Sequence, residues 1–420
     1  MYDVVIVGAG AAGLMTAIGC RWHGLNVLLL DGQKKIGAKI LMSGGTRCNV
    51  TNLEVSEKDY SSEQIRSVRN ILQAFSSTQA AEFFKKIGVN LVLEPGGKYF
   101  PTTHSGKTVL DALVKEIDRL GITLQTSCKV DHIEFESVEK SVQHSHPEQL
   151  RGTFHIKAQD FGVHAKSVVL CTGGLSYSST GSDGVGYSLA KHFGHHLIST
   201  TPALTPFTTD DKDWKSLSGV SLPTRLTLLV DGKKHVTYEE SFLFTHFGFS
   251  GTGVLNISRH WLRLKAQHSV QVVANFFSEY NEETLRIALE QYLKGHPKKL
   301  IKSFLAERLP ERFVEVFLKK IQVNETIMVN QLKKEDRERL ISHLIHYSLP
   351  VAGVFGYSKA EVTAGGIDFK EVNNKTLESK LQPGLFFAGE VLDVDGRIGG
   401  FNFQWAWASG YVVAEAIAKR

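Results

Sequence analysis

Tyr2-Asp3-Val4-Val5-Ile6-Val7-Gly8-Ala9-Gly10-Ala11-Ala12-Gly13 is the stretch that decides the fold. Residues 2–7 are almost wholly apolar, as in a strand buried on both faces. The glycines that follow stand at the spacing of a dinucleotide-binding turn. Gly8 permits the tight turn, Gly10 lets the backbone approach a pyrophosphate, and Gly13 lets the next helix pack close to the sheet. That helix is expected over Ala11–Gly24, with Leu14, Ala17 and Ile18 on its inner face. Its first turn, with Ala11 and Ala12, presents unpaired N–H groups and partial positive charge to phosphates. Asn26–Asp31 reads as a second buried strand, and Asp31 at its end is placed to accept hydrogen bonds from an adenosine ribose. One βαβ unit is thus complete within 31 residues.

The next segment separates FAD from NAD as the expected cofactor. Lys39-Ile40-Leu41-Met42-Ser43-Gly44-Gly45-Thr46-Arg47-Cys48-Asn49-Val50-Thr51-Asn52 is rich in glycine, hydroxyls and amides. Such a loop can wrap an extended cofactor, with Lys39 and Arg47 near phosphate and Ser43, Gly44, Thr46, Cys48 and Asn49 near ribityl or ring edges. A simple NAD domain has no use for it. A second piece lies at 389–404: Gly389, Glu390 and Asp393, then Gly399, Gly400, Phe401 and Asn402. An acid after a buried strand suits a ribityl hydroxyl. The glycine pair suits close approach to an isoalloxazine, and the last helix would aim its N-terminus at the pyrimidine side, stabilising negative charge there. Val130 and the turn Thr172-Gly173-Gly174 complete the expected cofactor-lining set.

Between these pieces the character changes. Glu82–Lys86 and Thr108–Leu120 read as helices; Thr123–Val130, Ile133–Phe135, Thr153–Ala158 and Ser167–Cys171 read as strands. The polar stretch 136–149 reads as a surface loop. Residues 201–277 alternate apolar and polar positions, as in a small antiparallel β domain. Asn281–Tyr347 has helical periodicity. β/α character returns after Val351, with strands at Glu361–Ala364 and Gly384–Ala388 and a closing helix from Asn402. The chain has 420 residues, 42% hydrophobic, with a net charge of +5, too weak alone to argue for nucleic acid. Cys20, Cys48, Cys128 and Cys171 form no CxxC pair, so neither a structural zinc site nor a redox dithiol is expected, and no metal. With a strand beginning at Tyr2 and no apolar run of about 18 residues, neither a signal peptide nor a membrane span is expected, and the expected location is the cytoplasm.

Six stretches together carry a resemblance: GAGAAG at 8–13, KILMSGGTRCNVTN at 39–52, TGGLSYSSTGSDGVGYSLA at 172–190, LFTHFGFSG at 243–251, VTAGGIDFKEV at 362–372 and GLFFAGEVLDVDGRIGGFNFQWAWASG at 384–410. On these the sequence resembles the HI0933-like family of FAD-dependent oxidoreductases over nearly its whole length. The resemblance implies an α/β fold: a Rossmann-type FAD-binding domain, akin to glutathione reductase and fumarate reductase, with an inserted antiparallel β domain and a helical subdomain. The expected boundaries are 1–198 with 350–420 for the FAD domain, 199–278 for the β domain and 279–349 for the helical subdomain. Family members are linked to reduction of unsaturated steroid acids, to amine oxidation and to reduction of a uridine in ribosomal RNA. Two departures from the family pattern are visible: threonine stands at 46 where glycine is common, and threonine at 252 where proline is common.

The catalytic candidates each have a bland alternative. Cys48 can donate a proton from the cofactor loop, or simply pack against FAD, the reading favoured here because no partner cysteine or base lies near it in sequence. His246 can act as acid or base, or sit satisfied among Phe242, Phe244, Phe247 and Phe249. Arg397 can bind an anionic substrate or make a structural ion pair. Ser176, Tyr177 and Asp183 follow the Thr172–Gly174 turn and are weaker candidates. From Lys294 to Lys320 eight Lys/Arg face three Glu. That patch is either a docking surface for RNA or another polyanion, or the solvated face of amphipathic helices, the latter being favoured. No second strand–GxGxxG–helix unit exists mid-chain, and Gly181–Gly186 has the wrong spacing. A nicotinamide donor, NADH or NADPH, is therefore expected to visit the flavin transiently, with ping-pong kinetics. The working expectation is NAD(P)H-driven reduction of a C=C bond in an RNA or small-molecule substrate. The rivals are an oxygen-using amine oxidase and a flavin-bound assembly protein with little turnover.

Overall fold

A computed structural model describes residues 1–137, 152–159 and 161–420. By contact density the chain forms two units, Met1–Pro202 with Glu361–Arg420, and Ala203–Ala360.

The first unit is built on the expected βαβ. Tyr2–Val7 runs parallel to Val27–Leu30 on one side and to Phe161–Leu170 on the other. Thr123–Gln125 extends the sheet beyond Val27–Leu30, and Leu385–Phe387 pairs parallel with Phe161–Leu170 through Val168 and Leu385. The first half of Phe161–Leu170 belongs instead to an antiparallel run with Gly152–Ala158 and His132–Ser137. Ile6, Leu29, Val169 and Phe386 are all 0% exposed, as expected of parallel strands covered on both faces. One covering layer is the helix Ala11–Trp22, ended where Gly24 turns to φ +81°. On it lies the final helix, Phe401–Ala418. A Cβ at Gly19 would stand 2.7 Å from Ala414 Cβ, and one at Gly410 2.7 Å from Ala12 O, so these helices approach to backbone distance.

Several expected elements differ in extent. Thr123–Val130 is a strand only to Gln125, because Ser127 takes φ +53° and Cys128 N–H donates to Asp31 O. The helix expected at Glu82–Lys86 starts earlier, at Ser77, behind a Ser76–Gln79 capping box. A helix at Ile65–Ala74 has no counterpart in the expectations. Of the expected loop 136–149, Glu136 and Ser137 lie in the strand His132–Ser137, and the rest falls outside the described residues.

The second unit holds a seven-stranded sheet. Its centre is the hairpin Ser221–Val230 and Lys233–Thr245, closed by Asp231-Gly232 with φ +50° and +76°. Two left-handed residues match the twist of a two-residue hairpin. The β and helical parts of this insert are not separate bodies, contrary to the division at 278/279. Phe244 stacks on Trp214 at 5.4 Å, and Phe276 from the sheet side meets Phe313 of the helix Glu311–Lys320 at 4.8 Å. A single hydrophobic core thus joins both parts. No helix among the described residues is long and apolar enough to cross a membrane.

Candidate functional site

The glycine turn has the geometry its spacing implies. Gly8 has φ +104°, and a Cβ there would lie 2.5 Å from Cys171 O. A Cβ on Gly13 would lie 1.8 Å from Gly8 O, so only glycine lets the helix leave the strand at this angle. Gly10 faces open space, with nothing within 4 Å of its Cβ position. The helix behind it has neither a side-chain cap nor an acidic residue in its first turn, leaving its positive end for an anion. Asp31 Oδ2 accepts from Ala9 N–H at 2.7 Å and Oδ1 from Gln33 N–H at 2.8 Å, which orients the carboxylate and leaves each oxygen a second lone pair. Burial pushes its carboxyl above the ordinary range.

The 39–52 segment and the 389–404 segment come together, as the sequence implied. Thr51 Oγ1 donates to Gln404 Oε1 at 2.7 Å, Asn52 Nδ2 to Gly399 O at 3.0 Å, and Trp407 Nε1 to Val50 O at 2.9 Å. A Cβ on Gly400 would meet Thr51 O at 2.6 Å and Asn49 Oδ1 at 2.9 Å. Gly44, Gly45, Thr46 and Cys48 all have positive φ, 57–70°, so this loop is a tight left-handed coil. Of its two non-glycine members at positive φ, Thr46 and Cys48, the β-branched Thr46 at φ +70° is the more strained, which gives a physical reason for glycine being common there.

Deeper in the unit is a network the sequence did not reveal. Lys39 Nζ lies 2.7 Å from Glu390 Oε2 and 2.8 Å from Ser176 Oγ. Ser176 Oγ and Thr363 N–H both donate to Glu390 Oε1, at 2.7 and 2.9 Å. Thr363 Oγ1 accepts from Leu175 N–H and Ser176 N–H at 2.7 and 3.1 Å. A side chain on Gly174 would collide with this cluster, its Cβ 2.4 Å from Thr363 Oγ1 and 2.9 Å from Glu390 Oε1. Gly173, at φ +71°, similarly abuts Ser182 Oγ. Thr363 was visible only as part of VTAGG, and Ser176 only as a loop residue; no spacing rule joins them to Glu390.

Other expected residues take different places. Arg47 does not lie free for phosphate: its guanidinium bonds Glu94 at 2.9 and 3.1 Å and stacks over Phe100 at 4.1 Å. Lys39 pairs with Glu390 rather than standing alone for an anion. Gly389 packs against Ala12, with its N–H on Ser409 Oγ at 2.9 Å. Asp393 is buried at 5% exposure, with its N–H on Ile367 O. Asn402 clamps Gly396 through both ends of its amide, at 2.8 and 2.9 Å. Ser43 Oγ bonds Ile40 O, Val130 is in the core at 2% exposure, and Phe401 is fully buried. Asp183 pairs with Lys129 at the surface.

The catalytic candidates separate clearly. Cys48 is 0% exposed, and burial pushes its thiol up to about 12, so it is a packed neutral thiol and neither a nucleophile nor an accessible acid. Arg397 Nε bonds Asp59 at 2.8 Å and its guanidinium covers Phe401 at 4.1 Å, which is the structural ion pair. His246 is not a core histidine: it is exposed at the turn between Lys233–Thr245 and Gly248–Ser250 in the second unit, against Phe247. The Tyr177 phenol is raised by burial and by the Glu361 carboxylate, so it keeps its proton. Half of the basic patch is answered by ion pairs within the molecule. Lys302 pairs with Glu311 and Glu315, Arg308 with Glu279, Lys319 with Asp213 and Lys320 with Asp211, while Arg312 bonds Ser216 O. Lys294, Lys298 and Lys299 are exposed, as are Arg308, Arg312 and Lys319.

Whether the first unit fits FAD can be tested on its own atoms. Asn49 Oδ1 and Thr172 Oγ1 are buried and have no hydrogen-bond partner among the described residues. Buried polar atoms are normally paired. Asn49 Oδ1 stands in the coil facing Gly400, 2.9 Å from where a Cβ there would lie, whereas Thr172 Oγ1 is turned toward Gly186 of the helix Val185–His192, 1.9 Å from its Cβ position. The open face of Gly10, the two uncapped helix N-termini and Asn49 Oδ1 suit a ligand with a pyrophosphate and polar ring edges.

Comparison with known proteins agrees. The chain is 34% identical over 418 residues to the ribosomal RNA dihydrouridine synthase of Haemophilus influenzae, covering 99% of this chain and 98% of that one. It is 34% identical over 417 residues to the enzyme of the same name from Escherichia coli, covering 99% and 97%. It is 31% identical over 423 residues to the 3-dehydro-bile acid delta(4,6)-reductase of Clostridium scindens, covering 100% of both chains. Among solved structures, 3-ketosteroid delta1-dehydrogenase from Sterolibacterium denitrificans shares the fold with a TM-score of 0.50 at 12% identity, covering 100% of this chain and 99% of that one. The profile of the HI0933-like protein Rossmann domain matches residues 2–416, and the chain belongs to that family, as an FAD-dependent oxidoreductase.

Proposed function

We propose that this protein reduces a carbon–carbon double bond with electrons from NAD(P)H, and that its substrate is a uridine of ribosomal RNA. The observation that carries this reading is the end-to-end likeness, at 34% identity, to two ribosomal RNA dihydrouridine synthases. FAD, when bound, supplies hydride transfer. The chain's own groups do the rest. The Gly8–Gly13 turn and the N-terminus of Ala11–Trp22 bind the pyrophosphate, and Asp31 takes the adenosine ribose. Glu390, held by Lys39, Ser176 and Thr363, orients the ribityl chain, and Asn49 supplies a polar contact to the cofactor. The N-terminus of Phe401–Ala418, uncapped by any side chain, stabilises negative charge at the ring. Tyr177, whose phenol keeps its proton, is the group of the first unit that offers one to the substrate carbon. The second unit's sheet is antiparallel and so offers no second dinucleotide fold, which supports a donor that leaves before the substrate arrives. A second reading, an unsaturated steroid-type acid as substrate, is favoured by the full-length likeness to the bile-acid reductase and by internal ion pairing of half of the basic patch.

The test is anaerobic titration with NADPH and NADH, followed by visible absorbance. A bleached flavin that is reoxidised by a ribosomal RNA fragment, less so at high salt, is the expected result. Reoxidation only by an unsaturated steroid acid would select the second reading. A flavin that neither nicotinamide reduces would overturn both.

A further inference from the structure

The antiparallel edge of the first unit's sheet carries a polar constellation that the flavin chemistry does not use. His132–Ser137, Gly152–Ala158 and Phe161–Leu170 run side by side. Strand alternation sends Ile133, Phe154 and Ile156 into the core at 0% exposure. It therefore turns Glu134, Glu136, His155, Lys157 and His164 to the opposite face. The register places His155 directly across from His164, and Glu136 one same-face position beyond Glu134, the residue opposite His155.

The two imidazole rings stack, with centroids 4.4 Å apart and planes within 4°. The Glu136 carboxylate faces both: Oε1 is 3.8 Å from His155 Nδ1 and Oε2 is 3.6 Å from His164 Nε2. These contacts are too long for hydrogen bonds. One ligating atom from each residue lies within 4.8 Å of the other two. The adjacent charges are already matched, because Glu134 takes both Lys157, at 2.8 Å, and His132, at 2.9 Å. Among the described residues, no lysine or arginine is paired with Glu136.

Two stacked imidazoles repel once protonated, and as neutral rings they leave a carboxylate facing them just beyond bonding reach. A shared divalent ion resolves both conflicts. A tetrahedral ion with nitrogen and oxygen ligands at about 2.0–2.1 Å holds those ligands roughly 3.4 Å apart. The observed 3.6 and 3.8 Å carboxylate separations need to close by only a few tenths of an ångström, and the two parallel rings must turn about χ2 so that their in-plane lone pairs converge on the ion. Imidazole and carboxylate together suit zinc better than the hard cations. We propose that Glu136, His155 and His164 form a zinc-class divalent metal site, completed by water, that ties three consecutive strands together at the sheet edge.

The experiment uses the untagged, full-length, FAD-bound protein, stripped with a chelator and titrated with ZnCl2 by calorimetry. Wild type should bind one equivalent, and Zn2+ should raise its melting temperature. His155→Gln and His164→Gln should each weaken binding roughly 100-fold or more, beyond what loss of an outer-shell partner costs. Glu136→Gln should weaken it less, and the zinc-dependent rise in melting temperature should vanish in both histidine variants. An unchanged flavin spectrum confirms that the variants fold. Because His164 is nearly half exposed, His164→Gln decides the matter should His155→Gln misfold. Wild type without a one-equivalent zinc event, or histidine variants that bind as wild type does, would overturn the site.

Discussion

The two units close their structures over different distances along the chain. In the insert the dominant pairing is between neighbours, Ser221–Val230 with Lys233–Thr245. In the cofactor unit the defining contacts join remote segments: Val168 with Leu385, Thr51 with Gln404, Asp59 with Arg397, Lys39 with Glu390. All four cysteines are in the cofactor unit, each buried and free. The insert can therefore absorb local changes, whereas the cofactor unit should transmit a change in one segment to another hundreds of residues away.

The sharpest way to break this comparison is a pair of glycine substitutions. Gly13→Val forces a side chain into Gly8 O, and should abolish FAD incorporation and cost more than about 3 kcal/mol of stability. Gly253→Ala, in the helix Thr252–Leu264, meets nothing nearer than 3.5 Å. It should leave flavin content unchanged and add up to about 1 kcal/mol. Flavin absorbance and urea midpoints read both. Equal losses in the two variants would refute the contrast.

Alkali should come next in size. Burial pushes Cys20, Cys48 and Cys171 from 9.0 to about 12. The folded state then holds three protons that the unfolded chain has lost. Stability from this source is complete below about pH 9 and is lost as pH rises toward 12. The slope is roughly 1.4 kcal/mol per pH unit for each thiol. Flavin release should therefore fall to lower urea concentration at pH 10 than at pH 8, while the urea-dependent loss of hydrogen-exchange protection in the insert strands Ser221–Val230 and Lys233–Thr245 shifts less. Replacing the three cysteines with alanine should flatten the first response. If both transitions move together in wild type, the units are not independent.

Glu390→Gln removes the charge that organises Lys39, Ser176 and Thr363. Loss of charge-assisted hydrogen bonds costs about 1.5–3 kcal/mol, so the FAD dissociation constant should rise roughly 10–100-fold with little change in the insert. Equilibrium dialysis of FAD measures it, and unaltered affinity would remove the network from the cofactor's neighbourhood. Smallest is Thr46→Gly, which relieves a β-branched residue at φ +70° and should gain about 1 kcal/mol. A loss of stability or of flavin would mean that the threonine side chain does something its backbone strain conceals.

The glycine turn was legible because each glycine there answers to a single local demand, whether crowding by Cys171 O or Gly8 O or open space at Gly10. The meeting of segments 39–52 and 389–404 was legible because both had the composition of a cofactor wall. What was not legible depended on partners that no motif announces. Arg47 looked available for phosphate because nothing in the loop foretells Glu94, which arrives on the strand Leu91–Glu94. Thr363 gains its role from a strand, Val362–Ile367, that brings it to the Thr172–Gly174 turn. The insert looked like two domains because alternation and helical period are separate signals, while the Trp214, Phe244 and Phe313 contacts that fuse them leave no trace in either. Glu136, His155 and His164 follow no helical or loop spacing; the sheet register alone makes them neighbours.

The late pairing of Leu385–Phe387 with Phe161–Leu170, and of the final helix with Ala11–Trp22, sets an order of events on the ribosome. The opening βαβ is synthesised some 355 residues before the strand that completes its sheet. At about 5–20 residues per second that gap lasts roughly 20–70 s. During it the nascent chain exposes an unfinished parallel edge, and the insert, whose Phe207 pairs with Val354, is itself completed only near the end of that interval. The wall that joins Thr51 to Gln404 can therefore form only after nearly the whole chain has been made.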